Sequence, residues 1–177
     1  KTIPDVLLQS LIETDVLIHN AAIASSKLAM IETLKSAEEQ FDINFLSPFI
    51  LTKAWMKHRI RLRKPGHVIF ISSICSKRSF RGLSIYSATK SAINSYSKSI
   101  AFEMGKKNIR SNVIVPGYMK TDMSSSLSEE QLRKIQNRCP MKRLAKMEEV
   151  CAAVEFLVES SDFINGSEIV VDGGYSL

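Results

Sequence analysis

The stretch YSATK at residues 86–90 sets a phenol, Tyr86, four positions before an ammonium, Lys90, with only Ser, Ala and Thr between them. On a helix that spacing puts both side chains on one face. A phenol ordinarily titrates near pH 10, and a neighbouring positive charge favours its ionised form. The pair is therefore suited to exchange a proton with a substrate oxygen. The same spacing also arises by chance on a surface helix. Ser73 lies thirteen positions before Tyr86 and ends the apolar run HVIFISS at 67–73. A hydroxyl there can hydrogen-bond a substrate carbonyl, or simply close a strand. Pro48, in NFLSP at 44–48, falls inside a second helical stretch. It has no N–H to give to the carbonyl of Asn44, four residues back. The freed oxygen can hold an ordered water beside a cleft, or mark a kink without function.

Alternating strands and helices must position these groups. DVLIHN (15–20), HVIFISS (67–73), NVIVP (112–116) and EIVVDGG (168–174) are short, nearly continuous apolar runs, as strands covered on both faces are. Helices are expected over 36–58, 86–105, 128–137 and 147–159. The second carries an apolar stripe at Ala88, Ala92, Tyr96, Ile100 and Met104. Ser128 and Gln131 have the spacing of a capping box. This alternation predicts an α/β fold with one parallel sheet between helices. With no linker or repeat, residues 1–177 read as a single domain. Ligands of such sheets bind beyond the carboxyl ends of the strands, which here means Asn20-Ala21-Ala22, Ser72-Ser73 and Pro116-Gly117.

Composition narrows the function classes. The chain has 177 residues, 45% of them hydrophobic, and a formal charge of +6. No apolar run approaches the length of a membrane span. Three cysteines without a CxxC pair and three histidines without ligand spacing argue against a disulfide framework and against a metal site. Reduced thiols fit a cytoplasmic protein. Much of the basic excess lies in HRIRLRK (58–64) and in Lys106, Lys107 and Arg110. Such runs form a solvated face or attract an acidic partner; no nucleic-acid motif accompanies them.

Five segments, in order and spacing, resemble the short-chain dehydrogenase/reductase family: DVLIHNAAI (15–23), ISS (71–73), YSATK (86–90), VPGYMKTDM (115–123) and INGSEIVVDGG (164–174). The resemblance implies a Rossmann-like, doubly wound parallel sheet and an NAD(P)-dependent enzyme that reduces a ketone to a secondary alcohol. It makes Tyr86 the general acid and has Lys90 lower the phenol's pKa and bond the nicotinamide ribose. Ser73 would polarise the carbonyl, and Asn44 would hold a water linking Lys90 to solvent. Asn20, Ala21 and Ala22 would run under the cofactor, and Pro116 and Gly117 would border the nicotinamide. The Met119 backbone and the Thr121 side chain would meet the carboxamide or pyrophosphate, and 121–139 resembles a substrate lid.

Within the family, the stretch from TDM through P-x-x-RL to VDGG is most similar to 3-oxoacyl-[acyl-carrier-protein] reductases. That likeness implies NADP, with NAD as the other choice, and an acidic acyl carrier protein met by Lys64 and Lys107. It also implies a dimer or tetramer built through the helices at 36–58 and 86–105. His19 and Ala22 replace an Asn and a Gly of the family's NNAG. A GxxxGxG loop is absent, and Lys1 is not a start methionine. The family's first strands and its dinucleotide loop are therefore expected ahead of Lys1. Reductases of other small alcohols, sugars or steroids share the same core, and a truncated, non-catalytic assembly module is a further reading.

Overall fold

The computed structural model describes residues 10–11, 13–121, 128–159 and 162–177. Four strands form one parallel sheet in the order β1-β2-β3-β4: β1 Val16–His19, β2 Gly66–Ile71, β3 Ile109–Pro116 and β4 Glu168–Val171. Successive side chains alternate between its faces. Val68, Phe70, Val113 and Val115 join Trp55, Ile93 and Ile100 in one core layer. Ile69 and Ile114 meet Val150 and Leu157 in the other. The continuous apolar runs arise from this double coverage.

The helices are α1 Leu34–Phe41, α2 Ser47–Leu62, α3 Ser84–Met104, α4 Glu129–Arg138 and α5 Met147–Glu159. Ser128 and Gln131 close their reciprocal capping box at the start of α4. Two expectations need correction. The stretch 36–58 is not one kinked helix, because a π turn at Asp42–Leu46 separates α1 from α2, with the cap N–H of Ser47 reaching back five residues to the Asp42 carbonyl. On α3, the sheet-facing side is Tyr86, Thr89, Lys90, Ile93, Asn94, Ser97, Ile100 and Ala101. The expected stripe holds at Ile100 and, partly buried against the core, at Tyr96 and Met104, but fails at Ala88, which is exposed. The helix buries a partly polar face because hydrogen bonds satisfy it, such as Ser97 Oγ to Ser111 Oγ at 2.7 Å.

His19 stacks on Phe70 and bonds Thr52 Oγ1 at 2.7 Å. His67 is buried against Asn112 Nδ2 at 2.9 Å. Burial pulls both imidazoles down to about 4, aided at His67 by the Arg110 charge. Below pH 6.5 the unfolded chain takes up protons that the folded one refuses. The stability these neutral rings contribute is present above pH 6.5 and lost as pH falls towards about 4. Denaturant midpoints measured across that interval are expected to fall, and less steeply for His19→Asn, which keeps a donor for Thr52 without the titration.

Candidate functional site

β2 delivers its chain end to the carboxyl edge of the sheet. Past Ile71, Ser72 is buried and Ser73 caps a 3-10 turn at Ile74–Ser76, its Oγ accepting from the Cys75 N–H at 3.2 Å. α3 begins eleven residues after Ser73, at Ser84, and brings Tyr86 and Lys90 back over the same edge. Both are buried, 8% and 4% exposed, and so stand out of bulk water. The Ser73 hydroxyl acts on the Tyr86 phenol closely enough to oppose the rise of its pKa. Lys90 Nζ stands 5.7 Å from the centroid of the Tyr86 ring and donates to the Ile71 carbonyl at 2.7 Å.

The electrostatics differ from the expectation that Lys90 lowers the phenol. Burial dominates and pushes Tyr86 up to about 12, with the Cys75 thiol adding to the rise and the Ser73 hydroxyl opposing it. Burial likewise pulls Lys90 down to about 8. The ammonium is bonded to a carbonyl rather than to the phenol, and desolvation works against every charged form here. At neutral pH the site therefore holds a protonated phenol beside a buried ammonium.

Asn44 sits in the π turn, 2% exposed. Its Oδ1 accepts from the Ile23 N–H at 2.9 Å, and its Nδ2 donates to the Ile23 carbonyl at 2.8 Å and to Thr89 Oγ1 at 3.1 Å. The side chain thus ties the loop after β1 to α3, next to Lys90. Pro48 is buried near the start of α2 with no N–H to give, so the π turn has more carbonyls than donors. Asn20 and Ala21 are exposed on that loop and Ala22 is half-buried. Sequence reading missed Thr89, whose hydroxyl also donates to the Tyr86 carbonyl at 2.8 Å, and the Ile71 carbonyl that holds Lys90. Thr89 lay in plain view inside YSATK; the carbonyl carries no residue-type signal.

Pro116 ends β3 buried, and the Gly117 N–H donates to the Val171 carbonyl at 2.9 Å. A Cβ on Gly117 would lie 2.7 Å from Asp172 Cα. Backbone cannot swing aside as a side-chain tip can. Gly117→Ala is therefore expected to cost about 1–3 kcal/mol, measured as a thermal midpoint several degrees lower. Tyr118 follows, edge-on to Phe80 and Tyr175. Met119 bridges to Ala145, and Thr121 is half-buried. Residues 122–127, which complete the TDM motif and open the expected lid, lie outside the described residues.

Lys64 and Lys107 precede β2 and β3, on turns joined by the Gly66 N–H to Asn108 carbonyl bond of 3.0 Å. They stand at the amino ends of the strands. Each is about 30 Å from Ser73 or Tyr86 along its strand or helix, so within one chain they do not flank the mouth. Arg59 is no part of a surface patch either. Only 2% exposed, it donates to the carbonyls of Pro65 and Thr14 and pairs with Asp15 at 2.6 Å. Among the described residues, no helix is long and apolar enough to cross a membrane.

A sequence model of the family described as Enoyl-(Acyl carrier protein) reductase matches residues 3–176. The 3-oxoacyl-[acyl-carrier-protein] reductase FabG of Buchnera aphidicola subsp. Schizaphis graminum is 36% identical over 161 residues, covering 90% of this chain and 66% of the relative. The chain thus spans just under two thirds of that relative's length. A solved 4-hydroxyisoleucine dehydrogenase complexed with NADH superposes with a TM-score of 0.92 at 25% identity, over 97% of this chain and 72% of the other. A gluconate 5-dehydrogenase from Burkholderia cenocepacia in complex with NADP and tartrate gives 0.91 at 26% identity, over 96% and 70%.

Proposed function

Because the chain belongs to the short-chain dehydrogenase/reductase family, we propose that the natural protein reduces a ketone to a secondary alcohol at the expense of a nicotinamide dinucleotide, with 3-oxoacyl thioesters as its substrate class. The observation that carries this reading is the buried Lys90 ammonium 5.7 Å from the ring of the buried Tyr86 phenol, at the strand end where Ser73 stands. When bound, the dinucleotide supplies the hydride. Every other role falls to this chain. Ser73 and Tyr86 donate hydrogen bonds to the ketone oxygen, polarising the carbonyl and fixing its orientation. As that oxygen becomes an alkoxide, Tyr86 gives it the phenolic proton. The Lys90 ammonium, 5.7 Å from the ring, stabilises the phenolate left behind. Asn44 holds the loop that fits beneath a dinucleotide, where the backbone at Asn20, Ala21 and Ala22 offers polar groups. Pro116 and Gly117 border the nicotinamide side, with the Met119 backbone and Thr121 beyond them. NADP is the proposed form; the two structural neighbours hold NADH and NADP.

The protein acts as a homo-oligomer, a dimer or tetramer, through the helices over 36–58 and 86–105, a role supported by exposed apolar side chains on them: Phe102 at 90% and Leu46 at 39%. An antiparallel neighbour would bring its Lys64 and Lys107 towards this chain's mouth, which is how an acidic acyl carrier protein would meet them. Oxidation of NADPH with an acetoacetyl thioester tests the substrate class, and steady turnover is expected. No thioester turnover alongside turnover of sugar-acid ketones would move the substrate to the class named for the gluconate 5-dehydrogenase. No turnover and no dinucleotide binding would favour an assembly module.

A further inference from the structure

Tyr86 and Lys90 share their helix face with Asn94, one turn further along α3, and Asn94 is 7% exposed. Its Nδ2 donates to Glu168 Oε2 at 2.7 Å and to Ser76 Oγ at 3.0 Å. Ser76 Oγ in turn donates to the Ser73 carbonyl at 2.7 Å. Glu168, at the start of β4, has a side chain only 8% exposed between Lys98, at 2.5 Å, and Lys77, the residue that caps the 3-10 turn. Burial resists ionisation of Glu168, but the two ammoniums outweigh it and keep the carboxyl below its usual range.

Direction is the informative property of this chain of bonds. An ionised carboxylate accepts and never donates. Asn94 must therefore turn its NH2 towards Glu168, and the same NH2 reaches Ser76. Ser76 Oγ, accepting there, has its single proton left for the Ser73 carbonyl. Reversing the amide would press Oδ1 against the carboxylate. Asn94 Oδ1 is instead left buried without a hydrogen-bond partner among the described residues, a cost the arrangement tolerates. We propose that Glu168, Asn94 and Ser76 form a hydrogen-bond relay, its donor roles fixed by the carboxylate, that positions the Ser73 turn against Tyr86. None of the three touches the reacting atoms, so they are positioning residues. The inference rests on the carbonyl-reductase reading for its catalytic consequence but not for its structural one.

The test uses the natural protein and the variants Glu168→Gln, Asn94→Leu, Ser76→Ala and Ser76→Thr. Hydrogen exchange of the backbone amides at 75–78 reads the position of the turn, and NADPH oxidation reads its consequence. Glu168→Gln, Asn94→Leu and Ser76→Ala are each expected to speed exchange in that turn and to lower kcat about tenfold, part of the roughly hundredfold that an ångström of misplacement costs. The KM for NADPH stays unchanged. Ser76→Thr, which keeps the hydroxyl, restores both readouts. Asn94→Leu combined with Ser76→Ala is no worse than either alone, since both cut one relay. Unchanged exchange and kcat in both Glu168→Gln and Ser76→Ala would overturn the relay. Additive losses would do the same. Faster exchange in variants of a protein that turns over no ketone at all would uphold the relay and defeat the reductase reading.

Discussion

Tyr86→Phe is expected to lower kcat about a thousandfold, within the range that a positioned proton donor contributes, while dinucleotide affinity stays within a factor of two or so of the parent. The substitution removes one oxygen. The ring remains, so the core contacts around α3 persist. Loss of one phenolic hydrogen bond costs about 1 kcal/mol in stability, too little to unfold a domain of this size. What disappears is the proton. Ser73 keeps a hydroxyl against the ketone oxygen, but its own pKa is too high for it to replace a phenol as acid. A loss in kcat with KM preserved identifies the group as acting in the transition state. Equal losses of both, with a lowered thermal midpoint, would mean that Tyr86 is a core residue only.

Lys90→Met is expected to split function from stability. Turnover falls about a hundredfold or more, because the ammonium that stabilises the phenolate is gone. Stability in the absence of ligand rises. Lys90 is 4% exposed, and burial depresses it from 10.5 to about 8. That depression corresponds to about 3 kcal/mol of destabilisation at neutral pH, at 1.36 kcal/mol per unit. Leaving the Ile71 carbonyl without its donor returns about 1 kcal/mol, for a net gain of about 2 kcal/mol and a thermal midpoint about 4–8 °C higher. The gain fades with pH and changes sign once the burial penalty falls below the cost of the unpaired carbonyl. Between about 8 and 10.5 the folded lysine has lost its proton and the unfolded one has not, so the parent grows more stable as pH rises. The variant's advantage should therefore be full below pH 8, shrink above it, and give way to a deficit of about 1 kcal/mol by pH 10.5.

What could be read from the sequence follows the range of each interaction. Tyr86 and Lys90 were legible because a helix brings residues four apart together by local geometry alone. The parallel sheet was legible because strands covered on both faces leave long apolar runs. Pro48 announced a lost donor, but not that the helix would take up a π turn, since register depends on how Asn44 grips Ile23 from another element. Arg59 looked like one charge in a solvated run. Its burial depends on the carbonyls of Thr14 and Pro65, which only the folded chain sets around it. The rise of Tyr86 to about 12 was hidden for the same reason: sequence shows a neighbouring charge, and burial outweighs it. The polar face of α3 looked like an exposed side because Ser76, Ser111 and Glu168, the groups that satisfy it, come from distant segments.

Ser73, Tyr86 and Lys90 are proposed to serve a hydride transfer to a ketone carbon. The most direct measurement follows the hydrogen itself. The purified natural protein is incubated with NADPH carrying deuterium at the transferable position of the nicotinamide and with an acetoacetyl thioester, and the alcohol is analysed by mass spectrometry. One deuterium is expected on the new carbinol carbon, with labelled product formed about a thousandfold more slowly by Tyr86→Phe. Labelled alcohol formed just as fast by Tyr86→Phe, or no labelled alcohol from protein that demonstrably binds NADPH, with this and other ketones, would contradict that proposal.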